Sequence, residues 1–236
     1  MAAARGSSPR GRGRVSEGSI TAFQADVARL FFALPETGSF LLAGGLALVA
    51  HGLTDRPTED LDAFTSKAGD VSKAAEAFVR AAIEKQWTVD RVQESETFVR
   101  LSVAGEAALI VDIALDSPPD LPPTMSILGP TFAPKELAAR KLLALFDRAM
   151  PRDFVDLFRL VRHWDRDELM SMAGTIDTGF DVPAFATAIR QLDRYRNEDI
   201  PIAAAELPEL RSYFHAWVDD LASAGRSGHQ QSREDS

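Results

Sequence analysis

The chain has 236 residues, of which 45% are hydrophobic and 26% charged, a balance typical of a globular protein. It contains no cysteine, which excludes disulfides, thiolate metal sites and a cysteine nucleophile. The net charge of -9 argues against a protein that coats nucleic acid by bulk charge, and no apolar run reaches the ~20 residues of a membrane helix. We therefore expect a cytoplasmic globular protein with no membrane partner.

Both ends of the chain are polar. Residues 1–18 contain four arginines and one glutamate, a charge of +3, which leaves -12 for the rest of the chain. No apolar segment follows these arginines, so the region does not have the pattern of a signal peptide. We predict a disordered basic tail over 1–18 and a second disordered tail over 224–236.

Hydrophobic spacing divides the rest of the chain into a mixed half and a helical half. In the first half, the predicted helices are 20–34, 46–51 and 70–86. The predicted strands are 40–43, 61–64, 87–92, 97–103 and 107–115. In the second half, the predicted helices are 134–148, 151–164, 166–173, 182–195 and 207–222. The fold class is therefore α+β, with an α/β core over 19–116 and a helical domain over 134–223.

The segment between the two halves is rich in proline. Pro118, Pro119, Pro122 and Pro123 lie close together, and proline disfavours both helix interiors and central strands. We therefore predict an irregular connector over 117–133.

Two carboxylates stand at the start of the predicted strand 61–64. Asp60 and Asp62 are two residues apart, so on a strand they point to the same side. A pair of carboxylates suits Mg²⁺, which takes one or two of them together with substrate phosphates. The alternative is a solvated strand end, which is the commoner meaning of an isolated Asp-x-Asp.

A third carboxylate lies within an apolar strand. Asp112 is flanked on both sides by residues such as Val111 and Ile113, so a largely buried position is expected. A buried carboxylate is costly unless it has a partner. That partner is either a metal shared with Asp60 and Asp62 or an ion pair with Arg100, and the sequence leaves both open.

Two glycines follow the first predicted strand. Gly44 and Gly45 precede a short helix, and glycines at such a turn allow the backbone to approach a phosphate. The alternative is an ordinary tight turn. With the nearby aspartates, this turn predicts a phosphate cradle that faces a metal site.

A lysine interrupts the apolar stripe of the predicted helix 134–148. The residues three and four positions from Lys141 are all Leu or Ala, so the lysine lies on the core-facing side. It either extends past the core to solvent or points into a site between the two halves. Asp156 is its expected partner, whereas a surface pair between Arg152 and Asp156 is the alternative.

Two runs of residues resemble the AbiEii/AbiGii-type nucleotidyltransferase toxins, a group of the DNA-polymerase-β-like superfamily that includes the MenT-type toxins. The first run covers residues 43–52 and 56–64, with the glycine pair and Asp60-Leu61-Asp62. The second covers residues 134–145, followed by Arg148 and Pro151-Arg152-Asp153-Phe154-Val155-Asp156-Leu157. The resemblance extends from about residue 40 to residue 160.

The resemblance implies a minimal polymerase-β-like palm with a mixed sheet, followed by a helical domain. It implies Mg²⁺-dependent transfer of a nucleoside monophosphate from an NTP, with a tRNA 3′ end as the acceptor in some relatives and a co-encoded antitoxin as partner. By this resemblance, Asp60 and Asp62 hold Mg²⁺ and the triphosphate, and Asp112 stands at the place of the third carboxylate. Lys141 binds the triphosphate and Asp156 completes the essential set.

The first motif departs from the superfamily at one position. Gly44-Gly45 stands where a Gly-Ser pair is common, so Thr58 or backbone N–H groups would replace a serine contact to phosphate. Arg56 is expected to balance the triphosphate charge together with Lys141. The expected function is a toxin that modifies the tRNA 3′ end and blocks translation.

Other functions remain open on the sequence alone. The acceptor could be a protein or a small-molecule hydroxyl such as that of an antibiotic, and an RNA acceptor requires a local arginine-rich surface on this acidic body. A non-catalytic nucleotide-binding module and a helical interaction protein are further alternatives.

Overall fold

The computed structural model of the chain describes residues 20–234, with side chains described through residue 223. The predicted basic tail over 1–18 lies outside the described residues. The strands are β1 (Leu41–Ala43), β2 (Asp60–Thr65), β3 (Thr88–Glu94), β4 (Phe98–Ala104), β5 (Ala108–Leu115), β6 (Thr124–Met125) and β7 (Pro130–Thr131). The helices are α1 (Ala22–Phe32), α2 (Gly44–Ala50), α3 (Asp70–Glu84), α4 (Pro134–Arg148), α5 (Pro151–Leu160), α6 (Arg166–Ile176), α7 (Val182–Ile189) and α8 (Leu207–Glu234).

Across the described residues, the strands form one mixed sheet in the order β3-β4-β5-β2-β1-β7-β6. β2 runs parallel to β5 and antiparallel to β1. β4 pairs antiparallel with both β3 and β5. The register of the central parallel pair places Asp62 directly beside Asp112. The mixed sheet that the resemblance implied is therefore present, and its centre brings two of the predicted carboxylates together.

One face of the sheet is covered by helices from the first half. α3 packs against β3, β4 and β5, and α1 packs against α3. Phe31 of α1 and Phe78 of α3 are fully buried, and their ring centroids are 5.7 Å apart. Leu61 of β2 is fully buried as well, whereas its neighbours Asp60 and Asp62 are only partly buried. Because side chains alternate along a strand, the two aspartates face away from the residues that build this core.

The helical half adds a wall on the aspartate side. α4 packs against α2, α5 and α6, so it reaches back to the helix that follows β1. Pro134 and Pro151 occupy the first positions of α4 and α5, where a proline satisfies helix geometry and no N–H is missed. Only residues 149 and 150 join the two helices. This short link holds the inward faces of α4 and α5 next to one another.

Three segments differ from the sequence-based prediction. The segment 117–133, predicted as an irregular connector, contributes β6 and β7, which extend the sheet beyond β1. These strands are two residues long, a length that the neighbouring prolines still permit. The helix predicted at 182–195 ends at Ile189 and continues as a tighter 3-10 turn over Arg190–Arg194.

The third difference is at the end of the chain. α8 continues to Glu234, whereas the hydrophobic spacing predicted a helix that ends at residue 222. The physical reason is helix propagation. Once Phe214 and Trp217 are buried and fix the first part of α8, each added residue costs little, even in a polar sequence. None of the helices in the described part of the chain has both the length and the apolar character needed to span a bilayer.

Candidate active site

Asp60 and Asp62 project from the same side of β2, at its first and third residues. The sequence predicted this arrangement from their spacing. Asp60 accepts a hydrogen bond from the Thr58 hydroxyl. The Thr58 carbonyl in turn accepts a bond of 2.6 Å from the Gln24 side chain of α1. The loop before β2 is thus tied to α1, and this tie orients the first carboxylate.

Asp112 lies on the neighbouring strand and is only 6% exposed. Its two carboxylate oxygens accept hydrogen bonds from Arg100, at 2.8 Å from Nε and 2.6 Å from Nη2. The two residues are also register partners across β4 and β5, so the sheet itself sets up the pair. Of the two partners that the sequence left open, Arg100 is the one that the structure shows. Asp112 nevertheless remains beside Asp62.

The surroundings of Asp62 disfavour the charged form of its carboxylate. Burial raises the pKa of Asp62 to about 7, and the adjacent Asp60 carboxylate acts in the same direction, while Lys141 opposes the rise. Two carboxylates of this kind are a suitable donor set for Mg²⁺, whose remaining ligands are substrate phosphates and water. The residues therefore fit the cation that the resemblance implies.

The fit is to two carboxylates rather than to a preformed centre of three. Among the described residues, no three His, Cys, Asp or Glu side chains are gathered into a ready-made metal site. Asp112 is engaged instead by Arg100, which donates one hydrogen bond to each of its oxygens. A bound cation would thus depend on the substrate to complete its ligands.

Gly44 and Gly45 form the first turn of α2 and leave space for side chains of the site. Gly44 has a φ of +63°, and a Cβ at this position would overlap the Asp62 carboxylate. A Cβ on Gly45 would lie 3.0 Å from the Thr58 hydroxyl oxygen and 3.3 Å from Arg56 Nη2. The glycines therefore allow the carboxylate and the loop before β2 to approach the backbone of α2.

Lys141 lies on the buried stripe of α4, as predicted, and is 7% exposed. Its Nζ is 2.9 Å from Asp156 Oδ2. Asp156 is fully buried in α5 and also accepts two hydrogen bonds from Arg56, at 2.9 and 3.1 Å. Burial alone would raise the pKa of Asp156, but Lys141 and Arg56 outweigh it and hold that pKa below its usual value.

We call the pairing of Asp156 with both Lys141 and Arg56 the clamp. It decides between the two partners considered for Asp156. The surface pair with Arg152 is wrong, because the Arg152 guanidinium turns instead toward Asp60, at 3.6 Å. The clamp also joins distant parts of the chain. Arg56 precedes β2 and is separated from Asp156 by 100 positions. Lys141 lies on α4, the helix before the one that carries Asp156.

These side chains surround one cavity of about 360 Å³, a volume within the usual range of small-molecule sites. Of the predicted residues, the cavity wall includes Gly44, Gly45, Arg56, Asp60, Asp62, Asp112 and Lys141. Thr58 and Asp156 stand behind the wall and contact residues that form it. The structure therefore brings all of the predicted site residues to one place.

Several charged residues of the wall carried no assigned role in the sequence analysis. They are Asp116, Arg140, Asp147, Arg148, Arg152 and Asp177. Arg140, Arg148 and Arg152 belong to the second family-like run, which was the available signal, and Asp147 lies on the same helix as Arg140. Asp116 and Asp177 come from two other segments, whose approach to α4 depends on tertiary packing that spacing alone does not reveal.

A mixed sheet with paired carboxylates, facing a buried lysine across a cavity, is an arrangement suited to a nucleotidyltransferase. The family model of the nucleotidyl transferase AbiEii toxin of type IV toxin–antitoxin systems matches residues 27–227. The chain therefore belongs to the AbiEii nucleotidyltransferase toxin family. A comparison with curated protein sequences finds no match.

Solved structures are similar in fold. MenT4, a nucleotidyltransferase toxin from Mycobacterium tuberculosis H37Rv, has a TM-score of 0.61 and 16% identity, over 84% of this chain and 82% of that chain. JHP933 from Helicobacter pylori has a TM-score of 0.49 and 19% identity, over 89% of this chain and 100% of that chain. The likeness to MenT4 shows that the two chains share a fold.

Proposed function

We propose that the protein is a Mg²⁺-dependent enzyme that transfers a nucleoside monophosphate from an NTP to the 3′ end of tRNA and so blocks translation. The observation that carries this proposal is the position of Lys141, which Asp156 clamps in the same cavity as Asp60 and Asp62. Phosphoryl transfer depends mainly on positioning and on neutralisation of charge. A fixed cation opposite a pair of metal-binding carboxylates supplies both.

In the proposed reaction, the oxygen of the acceptor hydroxyl attacks the α-phosphorus of the NTP. The bond from this phosphorus to the oxygen that bridges to the β-phosphate breaks, pyrophosphate leaves with the bonding electrons, and the hydroxyl proton passes to solvent. Bound Mg²⁺ would neutralise phosphate charge and lower the pKa of the acceptor hydroxyl. Asp60 and Asp62 would hold it, while Asp112, paired with Arg100, would keep a carboxylate beside Asp62 on the neighbouring strand.

The remaining residues bind and orient the triphosphate. Lys141 donates to phosphate oxygens, and Asp156 acts as a positioning residue that fixes the lysine. Arg56 adds positive charge beside the phosphates. Gly44 and Gly45 line the cavity with backbone, where N–H groups at the start of α2 face a phosphate.

The exposed arginines of the cavity wall support an RNA acceptor. Arg100, Arg148 and Arg152 have 42%, 45% and 43% of their side chains exposed, and all three line the cavity. Their exposed guanidinium groups are candidate contacts for RNA phosphates at the mouth of the site. Family membership supports an antitoxin as the protein partner.

The test is incubation of the full chain with Mg²⁺, each α-³²P-labelled NTP in turn, and total bacterial tRNA. We expect one NTP to label tRNA and Asp60→Asn to abolish the labelling. Glu59→Gln is the matched control, because Glu59 is the exposed neighbour of Asp60 and lies outside the cavity wall. Label on protein alone would refute the tRNA acceptor, and full activity of a folded Asp60→Asn variant would refute the proposed site.

A further inference from the structure

The arginines of the cavity wall are not all held in the same way. Arg56, Arg100 and Arg148 each donate two hydrogen bonds to both oxygens of one carboxylate. Arg140 is bonded to Asp116 and, through a further nitrogen, to the helix that carries it. These four guanidinium groups are therefore fixed by the fold.

Arg152 is held much more loosely. Its closest carboxylate contact is 3.6 Å, from Nη1 to Asp60 Oδ2, which is longer than a hydrogen bond. Its Nε is buried and has no hydrogen-bond partner within the described residues. A buried donor without an acceptor is costly, and at the wall of a cavity a ligand that brings an acceptor would remove that cost.

The presence of an arginine at position 152 is not explained by a gain in helix stability either. Arg152 is the second residue of α5, and a cation in the first turn of a helix is disfavoured by the helix dipole. The backbone there is firmly fixed, because Pro151 begins the helix and Asp153, fully buried, accepts two hydrogen bonds from Arg148. Only the Arg152 side chain is free to change partner.

The partner it contacts is informative. Asp60 uses one carboxylate oxygen for the Thr58 hydroxyl, and its other oxygen faces Arg152. That second oxygen is also the one available to a metal ion. Arg152 and a cation therefore compete for the same place beside Asp60.

We propose that Arg152 is an exchanging substrate-binding residue, which balances Asp60 in the free enzyme and moves to a triphosphate oxygen when the metal-bound nucleotide enters. This inference rests on the proposed function and assigns a new role within the same site. Arg152 leaves Asp60 as the metal arrives, and its Nε then finds the acceptor that it lacks in the described part of the free protein.

The proposal predicts effects of opposite sign from one substitution. In Arg152→Gln, Asp60 loses its competing cation, so Mn²⁺ alone should bind about two- to fivefold more tightly, as expected for an exposed ion pair. The same variant lacks charged hydrogen bonds to the substrate, so kcat/KM for the NTP should fall about ten- to hundredfold. Arg152→Lys should recover part of the rate.

The experiment measures Mn²⁺ binding to the full chain by calorimetry without nucleotide, the transfer kinetics with the NTP that the wild type uses, and thermal stability. Arg80→Gln is the control, since Arg80 is also exposed and loosely paired, at 3.9 Å from Glu36, and lies outside the cavity wall. Tighter Mn²⁺ binding with slower transfer supports the proposal. Unchanged or weaker Mn²⁺ binding in Arg152→Gln overturns it, including the case in which rate and stability fall together.

This experiment distinguishes failure of the proposed role of Arg152 from failure of the proposed function. If the wild type binds Mn²⁺ and transfers nucleotide while Arg152→Gln matches it in both, only the role of Arg152 is overturned. If the wild type neither binds Mn²⁺ nor transfers nucleotide, the proposed function is overturned and the role of Arg152 is overturned with it.

Discussion

Replacement of Asp62 by asparagine is expected to stabilise the metal-free fold at alkaline pH. Burial and the adjacent Asp60 raise the pKa of Asp62 from 3.8 to about 7. At a pH between these two pKa values, Asp62 retains a proton in the folded protein that it has released in the unfolded chain. Stability due to this group is therefore fully present below about pH 4 and is lost as the pH rises through about 7.

The size of the effect follows from the two pKa values. Each unit of difference corresponds to about 1.4 kcal/mol, so the wild type should lose about 3 kcal/mol between about pH 5 and about pH 8 through Asp62 alone. Asparagine has nearly the same shape and does not titrate. The advantage of Asp62→Asn over the wild type should therefore grow by about 3 kcal/mol across this interval.

The assay is urea unfolding followed by circular dichroism, in EDTA, at both pH values. Asp90→Asn is the matched control, because it makes the same substitution at an exposed position of β3, outside the cavity wall. Mg²⁺ in place of EDTA should stabilise the wild type, more at about pH 8 than at about pH 5, and should not stabilise Asp62→Asn. An advantage of Asp62→Asn that is the same at both pH values would refute the reasoning, because Asp62 would then not be the titrating group.

Three further predictions concern the same site. Asp156→Asn keeps the side-chain volume but leaves Lys141 and Arg56 without a counter-charge. Urea unfolding should therefore show that the free energy of unfolding falls by about 3–5 kcal/mol. A fall below about 1 kcal/mol would contradict the clamp. Gly44→Ala should abolish transfer because its Cβ displaces Asp62, whereas Gly69→Ala, with φ of +82° and no atom within 4 Å of its Cβ, should carry only the backbone strain of about 1–2 kcal/mol and stay active. EDTA should stop transfer reversibly, and Mg²⁺ or Mn²⁺ should restore it; activity in a metal-free enzyme would contradict the role of the carboxylates.

The sequence predicted those parts of the site that depend on local periodicity. The common direction of Asp60 and Asp62 follows from the two-residue period of a strand, and the burial of Lys141 follows from the helical period of α4. Both are properties of a single element. The packing of neighbouring elements did not need to be known for either prediction.

The parts that remained open depend on contacts between distant elements. Asp112 had two acceptable partners, and only the register of β4 and β5 shows that Arg100 faces it. Similarly, Arg152 and Asp156 have ideal spacing for a helix pair, but α5 turns Asp156 inward to Arg56 and leaves Arg152 at Asp60. Local spacing cannot decide such cases, because each charge has several partners of similar energy.

The clamp on Asp156 has a consequence for the order in which the protein becomes active during synthesis. A nascent chain that ends before residue 156 already contains every carboxylate of the sheet, but nothing yet holds Lys141 or Arg56. Lys141, the proposed phosphate-binding residue, is therefore fixed only after most of the chain has left the ribosome and α5 has docked. Truncated products would be inert, so a cell that makes this toxin would be exposed to its activity only through chains that have completed the clamp.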